Sequence, residues 1–117
     1  MRRPALRILF IENHEVFSSV VKDKFLAAHN VRVVSTLRDA RLELAAEQFD
    51  LILLDDDLDD GRGEELIAEL APTDRPMIIG VSAYDDLNAD LIRAGADAAC
   101  GKLRFSQIDS LIRSLQN

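Results

Sequence analysis

The chain has 117 residues, 48% hydrophobic and 30% charged, with a formal net charge of −7. This size fits one domain over residues 1–117, and the acidic balance argues against a broad phosphate-binding surface; Arg2, Arg3 and Arg7 make too small a basic patch to imply nucleic acid. The apolar segment Leu6 to Ile11 is interrupted by Arg7 and ends at Glu12, so it is neither a signal-peptide core nor a membrane span, and a single cysteine, Cys100, suits a reducing cytoplasm.

Strand and helix patterns then alternate along the chain. Arg7–Ile11 predicts a buried strand and Glu15–Ala28 a helix, with Phe17, Val21 and Phe25 at every fourth residue and Val20 beside them. The β-branched stretch Val31–Ser35 predicts a second strand, and Thr36 an N-cap for a helix over Leu37–Gln48. Asp50–Leu54 predicts a third strand, whose aliphatic residues run straight into five aspartates among the six positions Asp55–Asp60. A helix over Gly63–Leu70 follows, carrying Leu66, Ile67 and Leu70 on one face. Met77–Val81 predicts a fourth strand, Asp86–Ala94 a helix stopped by Gly95, Ala96–Cys100 a fifth strand of small residues, and Ser106–Leu115 a closing helix. Such alternation predicts an α/β, flavodoxin-like (βα)5 three-layer sandwich around a five-stranded parallel sheet in order 2-1-3-4-5. Neither a Gly-x-Gly-x-x-Gly turn nor a Gly-Lys-Ser/Thr loop is present, so the usual nucleotide-binding signatures are missing.

In a parallel sheet every strand's carboxyl end lies on one edge, where ligands bind. Glu12 and Asn13 follow the first predicted strand, Asp55 the third, Ser82 the fourth and Lys102 the fifth. Together they make a set suited to phosphoryl transfer onto a carboxylate. Asp55 is the expected nucleophile. Crowded carboxylates need a compensating cation; Mg2+ suits oxygen ligands, here Glu12, Asn13, Asp55 and the backbone carbonyl of Asp57. Ser82 would donate a hydrogen bond to one phosphoryl oxygen, and Lys102 would pair with another. The remaining aspartates of the run read as a solvated rim, His14 as a surface residue opening the first helix, and Cys100 as an inert buried thiol.

These residues carry a resemblance. Ile8–His14 resembles the first strand and acidic pair of the receiver domains of two-component response regulators, and Asp50–Asp55 their phosphoacceptor strand, with Gly63 at the family's glycine. Val81–Asp85 resembles the hydroxyl-bearing segment, and Arg93–Asp97 followed by Lys102 the last helix-strand junction and its lysine. The likeness covers nearly the whole chain. It implies that Asp55 accepts phosphate from a sensor histidine kinase or a histidine phosphotransfer protein. It further implies a phosphoacceptor that assists its own phosphorylation and dephosphorylation, rather than an enzyme. Output would pass through the fourth helix, fifth strand and last helix to a downstream protein target or a fused output domain, with a homodimer also allowed. The trigger would be the Ser82 hydroxyl moving toward the phosphate.

Four positions depart from the family's pattern. Asn13 is neutral where a second acid is usual, and Asp59 stands where a proline is usual. Leu103 replaces the proline after the lysine, so a cis peptide is not expected there; without proline it costs about 2.5–4 kcal/mol. Ala99 replaces the aromatic switch residue. A second reading is therefore a degenerate receiver that binds partners without phosphorylation. A third is a haloacid-dehalogenase-type phosphatase, because Asp55-Asp56-Asp57 contains an Asp-x-Asp pair, although that family places the pair on its first strand.

Overall fold

Leu51–Leu54 forms β3, and all four residues are inaccessible to solvent because helices cover both faces of the sheet. The computed structural model describes residues 5–116, so Arg2 and Arg3 lie outside the described residues. Around β3 run β1 (Arg7–Ile11), α1 (Glu15–Phe25), β2 (Asn30–Val34), α2 (Leu37–Ala46), α3 (Gly63–Glu69), β4 (Met77–Gly80), α4 (Asp85–Ala94), β5 (Ala98–Ala99) and α5 (Ile108–Gln116). The five strands are parallel, in the expected order β2-β1-β3-β4-β5. Between β3 and α3, Asp57–Leu58 pairs antiparallel with Gly61–Arg62 as a minimal hairpin.

Alternation within the apolar strands divides the core in two. Ile8, Phe10, Leu51, Leu53, Ile79 and Val81 pack with Val21 of α1, Ile108 and Ile112 of α5, and Phe105. Their neighbours Leu9, Ile11, Ile52, Leu54 and Ile78 point to the other face, against Leu37 and Ala40 of α2, Leu66 and Ile67 of α3, and Leu91 of α4. Phe105 anchors the first cluster, stacked on Phe10 at 6.0 Å and edge-on to Phe17 at 5.5 Å between ring centroids.

Local chemistry sets the element ends. Thr36 Oγ1 accepts the Asp39 N–H at 3.1 Å and caps α2 as expected. Gly95 ends α4 at φ 125°, a conformation in which a side chain is strained, and lets the N–H groups of Gly95 and Ala96 return to the Leu91 carbonyl. Helices α1 and α2 stop two or three residues before their predicted ends. The last helix is preceded by a 3-10 turn over Lys102–Gln107, so α5 starts at Ile108 rather than Ser106. Val20 is 54% exposed rather than part of the buried stripe. A residue one position from Val21 is rotated roughly 100° around the helix, off the face that reaches the sheet. Among the described residues, no helix is long and apolar enough to cross a membrane.

Candidate functional site

Backbone hydrogen bonds carry the sheet ladder past the strand ends and set the site before any side chain is considered. Glu12 N–H donates to the Val34 carbonyl at 2.9 Å, Asp55 N–H to Ile11 at 3.0 Å, and Val81 N–H to Leu54 at 2.8 Å. Beyond β5, Cys100 N–H donates to the Gly80 carbonyl at 2.8 Å and Lys102 N–H to Ser82 at 3.2 Å. Glu12, Asp55, Ser82 and Lys102 are therefore held on one edge, as the strand-end reading required.

The side chains meet there. Lys102 Nζ lies 2.9 Å from Glu12 Oε2 and 3.4 Å from Asp55 Oδ2, and 5.0 Å from the Phe17 ring centroid. Both carboxylates are almost wholly buried. Burial and the neighbouring Glu12 charge push the Asp55 carboxyl up to about 6, while Lys102 and the Asp57 N–H oppose them. Asp55, Ser82 and Lys102 line a cavity of about 520 Å³, with His14, Asp57 and Tyr84 among its other walls.

Ser82 is buried, and its Oγ accepts the Tyr84 N–H at 3.2 Å, leaving the hydroxyl hydrogen available for donation. Asn88 on α4, which sequence reading passed over, holds the Ser82 backbone with both ends of its amide. Ser82 N–H donates to Asn88 Oδ1 at 3.0 Å, and Asn88 Nδ2 donates to the Ser82 carbonyl at 3.1 Å. A polar residue on the inner face of a helix, six positions after the hydroxyl, was the available signal. His14 is exposed, as expected, yet its Nδ1 lies 3.0 Å from Glu12 Oε2 and 3.2 Å from Lys102 Nζ, so it belongs to the rim of the site.

The acidic run is not a uniform solvated rim. Asp56 is fully buried, accepting from Arg62 Nη2 at 2.5 Å and from the Glu64 N–H at 3.1 Å. The same Arg62 nitrogen reaches Asp90 of α4 at 3.2 Å, tying the acidic loop to that helix. Asp60 accepts the Leu37 and Arg38 N–H groups at 2.9 and 3.0 Å, and these bonds hold its carboxyl below the ordinary range. Asp59 accepts from Asn13 Nδ2 at 3.2 Å. The side chain of Asp57 is exposed, and its N–H lies 3.5 Å from Asp55 Oδ1. Leu103 is 98% exposed, and no cis peptide occurs among the described residues.

Glu12 Oε1 and Asn13 Oδ1 are buried with no hydrogen-bond partner among the described residues. Unpaired buried oxygens are costly, on the order of 1–3 kcal/mol each. A hard divalent cation is the kind of partner such oxygens take, and Glu12 and Asp55 offer oxygens close enough to share one ion. The donor set therefore fits Mg2+.

Residues 8–112 match the model of the response regulator receiver domain. The chain belongs to that family. No curated protein sequence matches this receiver. Solved structures do. A receiver domain protein from Methanospirillum hungatei JF-1 is 24% identical over 96% of this chain and 94% of its own, with a TM-score of 0.78. The N-terminal domain of the nisin resistance regulator NsrR is 28% identical over 95% and 97%, with a TM-score of 0.79. The Thermotoga maritima response regulator TrrA, solved with Mg2+ and BeF, is 20% identical over 93% and 97%, with a TM-score of 0.81.

The raised Asp55 pKa makes a prediction about this receiver's stability. Its folded value of about 6 exceeds the ordinary 3.8, so the folded state binds the proton more readily than the unfolded chain does. The penalty of the buried charge is therefore full above about pH 6 and is relieved as pH falls toward 3.8. Asp55→Asn should stabilise the Mg2+-free protein by about 1–2 kcal/mol at neutral pH, a figure discounted for partial screening, and by almost nothing near pH 4. Urea unfolding of both proteins across that range measures the difference; a gain independent of pH would contradict it.

Proposed function

We propose that this receiver accepts a phosphoryl group on Asp55 from a phosphohistidine of a sensor histidine kinase or histidine phosphotransfer protein. The observation that carries this reading is the Asp55–Lys102 pair set beside two buried, unpartnered oxygens, Glu12 Oε1 and Asn13 Oδ1. An Asp55 carboxylate oxygen would attack phosphorus, forming a P–O bond as the P–N bond to imidazole breaks and its electron pair leaves on that nitrogen. Lys102, released in part from Asp55 as its charge is taken up in the acyl phosphate, pairs with a phosphoryl oxygen, and the Ser82 hydroxyl donates to another. Glu12, Asn13, Asp55 and the Asp57 carbonyl would hold Mg2+, whose charge offsets that of the phosphoryl group. A structural relative solved with Mg2+ and BeF supports the cation assignment.

Output would run through α4, β5 and α5 to a downstream protein, a fused output domain or a second copy of the receiver, in the cytoplasm. The Ser82 carbonyl supports this route, because it accepts from both Asn88 of α4 and the Lys102 N–H after β5. A shift of the Ser82 backbone would therefore act on both elements.

Incubation with acetyl phosphate or phosphoramidate and Mg2+, followed by intact mass, tests the proposal. One added phosphoryl group is expected, and none after Asp55→Ala. No gain at any Mg2+ concentration would favour an adaptor that works by binding alone.

A further inference from the structure

Two of the departures from the family pattern touch each other. Asn13 and Asp59 are 46 positions apart in sequence, yet Asn13 Nδ2 lies 3.2 Å from Asp59 Oδ1. An ionised carboxylate only accepts, so the amide atom facing it must be the NH2 group. That leaves Asn13 Oδ1 on the other side, buried and unpartnered like Glu12 Oε1. The opposite orientation would set the amide oxygen against the Asp59 carboxylate.

Asp59 is itself held in place. It occupies the turn of the short hairpin, and the next residue, Asp60, is bonded to the first two N–H groups of α2 at 2.9 and 3.0 Å. The acidic loop thus carries one aspartate that fixes its own tip and another that reaches across to β1's end.

Given the cation site proposed above, we propose that Asp59 is a positioning residue for the cation. It orients the Asn13 amide so that the carbonyl oxygen is free to ligate, and it supplies the negative charge that Asn13 lacks. The neutral ligand and the acid beyond it act as a pair in place of a second carboxylate ligand.

Isothermal titration with Mg2+ alone provides the test, with circular dichroism and urea unfolding to establish that each variant is folded. Asp59→Ala should weaken Mg2+ binding about tenfold. Asp59→Asn, which keeps the shape and an acceptor but loses the charge, should weaken it roughly threefold to fivefold. Asn13→Asp should gain about twofold or less in the native background, where two carboxylates would face each other, but about tenfold in the Asp59→Ala background. A purely structural role for Asp59 would lower the unfolding stability of Asp59→Ala while leaving its Mg2+ affinity near native. If the native receiver binds Mg2+ but Asp59→Ala stays within about twofold of it, or Asn13→Asp acts equally in both backgrounds, this role is overturned and the phosphoacceptor reading stands. If the native receiver does not bind Mg2+ at all, both readings fall. Should Asp59→Ala fail to fold, Asp59→Asn decides alone: affinity unchanged from native overturns the role.

Discussion

Lys102→Ala should slow phosphorylation of Asp55 by acetyl phosphate about a hundredfold at neutral pH, the usual loss when one preorganised charge partner is removed from a transferring group. Two effects add. The phosphoryl oxygens lose their ammonium partner, and Asp55 loses the charge that holds its carboxyl down against burial and Glu12. The second effect has a sign that can be read separately. With Lys102 gone the Asp55 pKa rises further, so a smaller fraction is ionised at a given pH and the rate profile moves to higher pH. Lys102→Arg keeps the charge and should recover part of the rate without restoring the geometry of a compact ammonium. Intact-mass time courses between pH 6 and 9 measure both quantities. A rate within about threefold of the native receiver would remove Lys102 from the proposed chemistry.

Gly63→Ala should destabilise the receiver by about 2–3 kcal/mol. A Cβ at this position would lie 2.4 Å from the Asp55 carbonyl oxygen and 3.0 Å from Leu54 Cγ. Backbone crowding of that kind is not relieved by a rotamer change, because the Asp55 N–H is itself tied to the Ile11 carbonyl. Helix propensity acts the other way, but Ala gains at most about 1 kcal/mol over Gly inside a helix and less at its first residue. The clash therefore wins. Urea unfolding measures the loss, and a change below about 0.5 kcal/mol would mean that the loop yields freely. Because the clash is with Asp55 itself, the same variant should also phosphorylate more slowly while remaining folded.

Much of the fold was legible in the chain because burial leaves a periodic trace. Leu51–Leu54 and Ile8–Ile11 read as strand cores because a strand covered on both faces needs apolar residues throughout. Strand ends then placed Glu12, Asp55, Ser82 and Lys102 on one edge, and the structure brings them together as expected. The hairpin over Asp57–Arg62 was not legible, since two-residue strands are too short to show a period. Asn88 was missed because its role is to clamp a backbone that only tertiary packing brings near.

The acidic run marks the division most clearly. Its position after a buried strand already singled out Asp55, because strand ends follow from local pattern and chain connectivity. What Asp56, Asp59 and Asp60 do was decided only by the fold. The three share one residue type within five positions, but one is buried against Arg62, one faces Asn13 and one caps α2. A side chain's charge is written in the sequence. Its partner is set by which distant segment packs against it, and that depends on the closed three-layer structure.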